Sequence, residues 1–344
     1  MLDPELKLKL LILGVRSPRG PLRKGGGGPN GGVGFRVEKS VVSAPVRQSY
    51  ARNSPFKIIQ DGEKYVLYEF EHRIGYVEYP EPGYYGTNIG GVPAERYVAL
   101  DGYDTLVSAV SRKCIHWELG KKCSFCNIQK GLKESIDMKD PELLAQAVKI
   151  AHEKDRKRHL TLTTGTVNTT DRGAELLAAA VKAIKKEVDI PVHVQIEPVN
   201  RHWIERLYES GADTIGIHVE VFDDEIRPKV IPGKLSLDDY LDAWKTAIGV
   251  FGEWNVSSWL LTGLGERPDS ITRGLETMLS MAVYPFIAPY RPPPGEERGP
   301  PDLNYHTNLL EKIEETLGDL QIHPPEFKSG CPRCGGCSFI PELF

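Results

Sequence analysis

Cys114-Ile115-His116-Trp117-Glu118-Leu119-Gly120-Lys121-Lys122-Cys123-Ser124-Phe125-Cys126 places three cysteines in one short stretch. Their spacing is Cys-x8-Cys-x2-Cys, with an aromatic residue before the last thiol. Three thiolates in one loop can hold three irons of a [4Fe–4S] cluster and leave the fourth iron open to a substrate or cofactor. The same residues also read as a structural zinc site, with His116 as the fourth ligand.

The flanking pattern is strand–helix alternation. Short apolar runs occur at 105–110, 159–164, 192–197, 214–221, 256–262 and 283–288. Helical periodicity fills the gaps at 141–154, 172–187, 201–210, 236–251 and 269–281. The first of these helices opens on Asp140-Pro141-Glu142, a cap, a first-turn proline and an acid. Such units predict a parallel sheet with right-handed crossovers, and six of them can close partly into a barrel. Ligands then gather at the C-terminal ends of the strands, where the cysteine loop sits.

N-terminal to the array the pattern is different. Residues 5–14 predict a short amphipathic helix ending at Gly14. Tyr65-Val66-Leu67-Tyr68-Glu69-Phe70 and Ile74-Gly75-Tyr76-Val77-Glu78-Tyr79 read as strands between Pro and Gly turns. The run Gly25-Gly26-Gly27-Gly28-Pro29-Asn30-Gly31-Gly32 reads as a loop or lid. It lacks the Gly-Lys-Ser/Thr ending of a P-loop. The expected organisation is residues 1–103 as a partly β extension, 104–295 as the barrel, and 296–344 as a helix and tail.

The 344 residues carry 43 basic and 47 acidic side chains, a net −4, which argues against nucleic acid as a partner. No apolar run reaches about twenty residues, so no membrane span is expected. Met1-Leu2-Asp3-Pro4 lacks a signal peptide's charged-then-apolar plan. Six cysteines in two groups suit metal ligation in a reducing cytoplasm better than a disulfide framework.

The second group is Cys331-Pro332-Arg333-Cys334-Gly335-Gly336-Cys337-Ser338. Its spacing resembles a ferredoxin-type run, and the glycines let backbone amides approach cluster sulfurs. No further cysteine is left to complete it, so Ser338 or Arg291 is the candidate fourth ligand of an auxiliary cluster. A zinc knot completed by His323, or a redox Cys-x-x-Cys pair, is the alternative.

On Cys123-Ser124-Phe125-Cys126 after the first barrel strand, the chain resembles the radical S-adenosylmethionine (SAM) superfamily, in its biotin synthase-like branch. The usual pattern there is Cys-x3-Cys-x2-Cys, so the x8 gap after Cys114 is a departure. The resemblance implies an α/β fold of partial (β/α)6 barrel type, with SAM on the open iron of a [4Fe–4S] cluster held by Cys114, Cys123 and Cys126. It also implies SAM contacts at Phe125, at Thr164, Gly165 and Thr166 after the second strand, and at Glu197 after the third. Further contacts fall at His218 and Glu220 after the fourth strand, at Lys234 or Arg227 beyond it, and at Gly263 and Leu264 after the fifth. The usual acidic residue is missing from Thr163-Thr164-Gly165-Thr166.

Two [4Fe–4S] clusters in one such chain are the layout of sulfur-inserting enzymes. There the SAM-derived radical abstracts hydrogen and the auxiliary cluster donates sulfide. The arrangement resembles the biotin synthase-like subunits of the archaeal two-component lipoyl synthase. That resemblance implies an octanoylated lipoyl carrier protein as partner, a low-potential electron donor, and a second radical SAM subunit. Two alternatives stand beside it. One is another radical SAM reaction, with the tail cluster as electron relay or substrate anchor. The other is a non-catalytic α/β protein stapled by zinc.

Overall fold

The computed structural model describes residues 1–21, 31–129 and 136–344. Residues 25–30 of the glycine run lie outside the described residues. The chain opens with helix α1 (Pro4–Leu13), whose Asp3 cap accepts from the Leu6 amide at 3.0 Å. It ends at Gly14, which takes the left-handed φ of 72°. The sequence predicted a short amphipathic helix here, and α1 buries Lys7, Leu8, Leu10, Leu11 and Ile12. It is enclosed because a sheet packs on one side and a later helix on another.

That sheet is antiparallel and five-stranded: β1 (Gly32–Val37), β2 (Ser40–Pro45), β3 (Phe56–Asp61), β4 (Lys64–Glu69) and β5 (His72–Glu78), in the order β2-β1-β5-β4-β3. Its inner face joins Phe35, Val37, Val42, Phe56 and Leu67 with Leu10 and Leu11 of α1 in one apolar core. A small ribbon, β6 (Asn88–Ile89) and β7 (Val92–Pro93), links it to the barrel.

The barrel sheet has seven strands in sequential order. The edge strand β8 (Ala99–Asp101) is antiparallel to β9 (Thr105–Ser111), with Ala99 opposite Val107 and Asp101 opposite Thr105. From β9 onward all pairing is parallel, through β10 (His159–Thr164), β11 (Val192–Gln195), β12 (Thr214–Gly216), β13 (Val256–Thr262) and β14 (Val283–Pro289). The strand β8 precedes residue 104 and completes a hairpin with the first parallel strand.

Helices cross over between strands. The loop after β9 holds the short α2 (Ile115–Glu118), and α3 (Pro141–Asp155) follows it. The Asp140 side chain caps α3 by accepting from the Leu143 amide at 2.9 Å, as the Asp-Pro-Glu start requires. Next come α4 (Ala174–Glu187) and α5 (Arg201–Glu209), then the short α6 (Arg227–Val230), α7 (Leu237–Phe251) and α8 (Pro268–Ser280). Helix α7 begins with a reciprocal capping box between Ser236 and Asp239. The apolar faces of these helices and the strands form the main core, including Leu106, Leu160, Val194, Trp244 and Ile287. Helix α9 (Leu303–Leu320) packs against α8 and α1. The tail then turns into the one-turn α10 (Cys331–Cys334), lying against β14.

Regular pairing of β12 stops at Gly216, short of the run predicted to reach 221. Glu220 adopts φ 58°, a left-handed conformation unusual for a non-glycine residue, and rejoins the sheet through a lone bridge to Leu260. Among the described residues no helix is long and apolar enough to cross a membrane.

Candidate active site

One cavity of about 230 Å³ runs through the barrel, and all six cysteines line it. None of the six is in a disulfide. The wall between the two groups is built from inward-facing strand residues: Thr105 and Val107 of β9, Thr161 of β10, Trp259 of β13 and Phe286 of β14. Alternation along each strand places these side chains on one face.

The first group follows from close packing at the strand ends. Gly165 ends β10 with its amide on the Ser111 carbonyl at 2.9 Å. A Cβ there would stand 2.1 Å from the Lys113 carbonyl oxygen and 3.1 Å from Cys114 Cβ, so only glycine lets the cysteine loop lie this close. The Ile115 amide donates to the Thr166 carbonyl at 2.8 Å, and Ser124 to Val230 at 2.8 Å, which pins the loop at both ends. Phe125 lines the cavity and packs with Leu264 among apolar neighbours.

A charged frame surrounds these thiols. Glu197 is held by His116 Nε2 at 2.9 Å and by Arg172 Nη1 at 2.9 Å. Burial would raise the Glu197 carboxyl, but the His116 hydrogen bond and the Lys234 charge bring it down to about 2. Lys234 Nζ pairs with the Glu220 carboxylate at 2.6 Å. Burial pushes Glu220 up, against the pull of Lys234. His218 is half-buried, and burial keeps it neutral. Neither of its ring nitrogens, nor Trp259 Nε1 or Thr161 Oγ1, has a hydrogen-bond partner within the protein. Buried polar atoms without partners are rare, and these side chains line the cavity, where a ligand can satisfy them.

The structure therefore gathers Cys114, Cys123, Cys126, Phe125, Thr164, Gly165, Thr166, Glu197, His218, Glu220 and Lys234 on one cavity. It does not bring Gly263 or Leu264 into the lining. Their amides donate instead to the two oxygens of Glu266, at 2.7 and 2.8 Å. Arg227 is likewise engaged: its guanidinium donates to the carbonyls of Val219, Val221 and Leu235 at 3.2, 2.7 and 2.7 Å. Of the two basic candidates beyond the fourth strand, Lys234 faces the cavity.

The second group lies on the one-turn α10 and the residues just after it. Cys331 Sγ accepts from Gln195 Nε2 at 3.3 Å. Cys331 and Cys337 pack against Leu261, Phe286 and Ala288. Cys334 lies over the β8–β9 turn, where a Cβ on Gly102 would come within 2.4 Å of its sulfur. Ser43 of β2 donates its amide to the Gly336 carbonyl at 2.7 Å. Behind the tail, Gly330 donates to His159 Nδ1 at 3.0 Å, and Ser329 Oγ meets Thr214 Oγ1 at 2.8 Å.

The two candidate completing ligands are placed differently. The Ser338 hydroxyl is fully buried, donates to the Ile287 carbonyl at 2.5 Å, accepts from the Ile340 amide at 3.2 Å, and is absent from the cavity wall. Arg291 lines the cavity at the end of β14, with one guanidinium nitrogen on the Ser43 carbonyl and with Nε and Nη1 unpartnered.

Burial raises Cys123, Cys126 and Cys331, and takes Cys334 to about 12. Bare thiolates are disfavoured here, so cation binding must displace the protons. Three cysteines outside any disulfide at each end suit a polynuclear cluster with one open position. The zinc alternatives lack their ligands. His116 is spent on Glu197, and His323 is exposed away from the cavity. Among the described residues, no three His, Cys, Asp or Glu groups gather closely enough for a single ion.

Sequence reasoning missed Arg172, Thr161, Gln195 and Trp259. Strand alternation carried the signal for the last three, since each sits at an inward-facing position.

A radical SAM superfamily model matches residues 120–273. The chain is 26% identical over 258 residues to the bacteriochlorophyllide c C-7(1)-hydroxylase of Chlorobaculum limnaeum, covering 67% of this chain and 63% of the hydroxylase. It thus spans less than two thirds of that relative's length. It is also 26% identical over 204 residues to the lipoyl synthase of Caldicellulosiruptor saccharolyticus, covering 57% of this chain and 68% of that enzyme. Among solved structures, a radical SAM methyltransferase from Sphaerobacter thermophilus aligns over 83% of this chain and 81% of its own, at 14% identity and a TM-score of 0.48. The strands form a parallel partial barrel with the cysteine loop after β9, and residues 120–273 within it are similar to the radical SAM superfamily.

Proposed function

We propose that this chain is a radical SAM sulfurtransferase that places sulfur at an unactivated carbon of a protein-bound octanoyl chain. The observation that carries the proposal is that both cysteine groups line one cavity. When bound, a cluster on Cys114, Cys123 and Cys126 with SAM supplies a 5′-deoxyadenosyl radical, and a cluster on Cys331, Cys334 and Cys337 supplies sulfide.

The chain's own residues do the positioning. Lys234 offers an ammonium to an anionic group such as a carboxylate, held in place by Glu220. His218 and Trp259 offer unpartnered polar atoms along the wall. Glu197 stays ionised between His116 and Arg172, and so steadies the loop that carries Cys114. Between the two groups the wall is largely apolar, with Val107, Phe286 and Ala288, which suits an alkyl chain and excludes water from a radical.

The test is anaerobic reconstitution with iron and sulfide, followed by mass spectrometry of an octanoylated carrier incubated with SAM and reductant. Sulfur on the octanoyl chain supports the proposal. Abundant 5′-deoxyadenosine beside an unmodified chain overturns the substrate. That outcome would favour a second reading, in which the tail centre relays electrons and the substrate is a small molecule. The similarity to a hydroxylase of a pigment is the finding on its side.

A further inference from the structure

The N-terminal extension reaches the tail cysteines through one charged side chain. Lys7 lies mid-way along α1, yet its side chain is 1% exposed. Its ammonium sits 2.6 Å from the Glu342 carboxylate, which is 2% exposed. The partners are 335 residues apart in sequence. Gly335 takes φ 64° between Cys334 and Cys337, and a Cβ there would be 3.9 Å from Lys7 Nζ. Glu342 stands beyond Cys337, with Lys7 and Ser40 as its neighbours. The thiols of Cys334 and Cys337 lie close enough to Lys7 to act on its charge.

A buried ion pair is a poor way to fasten two chain ends. Desolvating both charges cancels much of their attraction, and an apolar pair of similar volume commonly does as well or better. A cation in this position does something an apolar residue cannot. Every cluster bound by three thiolates gains negative charge on reduction, and a fixed ammonium in a low-dielectric wall stabilises that charge.

We propose that Lys7 is a positioning residue of the tail centre, the fixed counter-charge that sets how readily a cluster on Cys331, Cys334 and Cys337 accepts an electron. The inference rests on the reading of those cysteines as a cluster site. It gives the N-terminal extension an electrostatic role in that site besides its packing role.

The experiment uses the full chain with Cys114, Cys123 and Cys126 replaced by Ala, so that only the tail centre reports. It is reconstituted anaerobically with iron and sulfide, and its midpoint potential is measured by redox titration. Lys7→Arg keeps the charge and should keep the parent potential. Lys7→Met removes it and should move the potential to a more negative value at unchanged iron content. An unmoved potential with iron retained overturns the proposal. Should Lys7→Met fail to fold, Glu342→Gln decides. It leaves the ammonium uncompensated and should move the potential positive; no movement overturns the proposal. A parent that binds no iron at all defeats the cluster reading itself, and is thereby distinguishable from a failure of Lys7.

Discussion

Gly102→Ala tests whether the second cysteine group is assembled by the β8–β9 turn. Two costs arise at this position. Gly102 has φ 58°, which an L side chain adopts at a cost of about 1 kcal/mol. The added methyl would also stand 2.4 Å from Cys334 Sγ and 3.4 Å from Val41 Cγ1. If Cys334 held its place, overpacking would add about 1–3 kcal/mol. If the thiol turned aside, that strain would relax, but the ligand would be lost. Gly62 separates the two effects. Its φ is 62°, and nothing lies within 4 Å of its Cβ position, so Gly62→Ala carries the backbone cost alone. The assay combines urea unfolding of the apo protein with iron and sulfide content after reconstitution. Gly62→Ala should lose about 1 kcal/mol and hold full iron. Gly102→Ala should lose that much or more, and should hold roughly half the iron, one cluster of the expected two. A Gly102→Ala protein with full iron and the stability of Gly62→Ala would refute the reasoning.

Further expectations concern the two centres and the core beneath them. Cys126→Ala should abolish 5′-deoxyadenosine formation, while Cys334→Ala should spare it and stop sulfur transfer; equal loss in both, with folding intact by circular dichroism, would sink the division of labour. Gly165→Ala should mirror Gly102→Ala, costing SAM cleavage and the first centre's iron, because its methyl meets a backbone carbonyl at 2.1 Å rather than a side chain that can turn. Burial holds His193 neutral, with its pKa down at about 3 against an ordinary 6.5. The folded state then binds fewer protons than the unfolded one below pH 6.5, so this stability is complete above 6.5 and is lost as pH falls towards 3. Lowering the pH from 7.5 to 5.5 should cost at least about 1.4 kcal/mol in urea unfolding. Burial lowers His159 and His218 too, so His193→Asn should flatten the loss without abolishing it. Stability unchanged over that range would exclude the mechanism.

The barrel was legible because its strands announce themselves. Val283–Pro289 is buried at nearly every position, since helices cover one face and the cavity wall forms the other. Such a strand is a continuous apolar run rather than an alternating one. The cap at Asp140 marked one helix start, and the periodic run from 236 placed another to within a residue. The fourth strand was read too long because His218-Val219-Glu220 keeps a strand-like composition. Its irregular course depends on Glu220 in a left-handed conformation, held by the Trp259 carbonyl and the Leu261 amide at 2.8 Å each. Nothing local encodes that. Strained backbone at a cavity edge is fixed by the neighbours that surround it.

The cysteines were legible for a different reason: spacing is local, and a ligand loop is a local object. Partnership across the chain was not. Ser338 looked suited to complete the tail centre because it follows Cys337 directly, but adjacency in sequence says nothing of direction. Its hydroxyl turns to the Ile287 carbonyl, whereas Arg291, 46 positions upstream of Cys337, faces the cavity. The same distinction separates the two centres. The first is framed by strands and loops of one continuous barrel segment. The second draws Gly102 from a turn, Ser43 from the N-terminal sheet, Lys7 from the first helix and Gln195 from β11 around the last residues of the chain. Closing such loops costs entropy that nearby contacts must offset before the thiols align. The tail site can therefore exist only on a finished barrel with its N-terminal sheet in place. This explains why an extension with no chemistry-bearing motif of its own is built so tightly against the chain's other end.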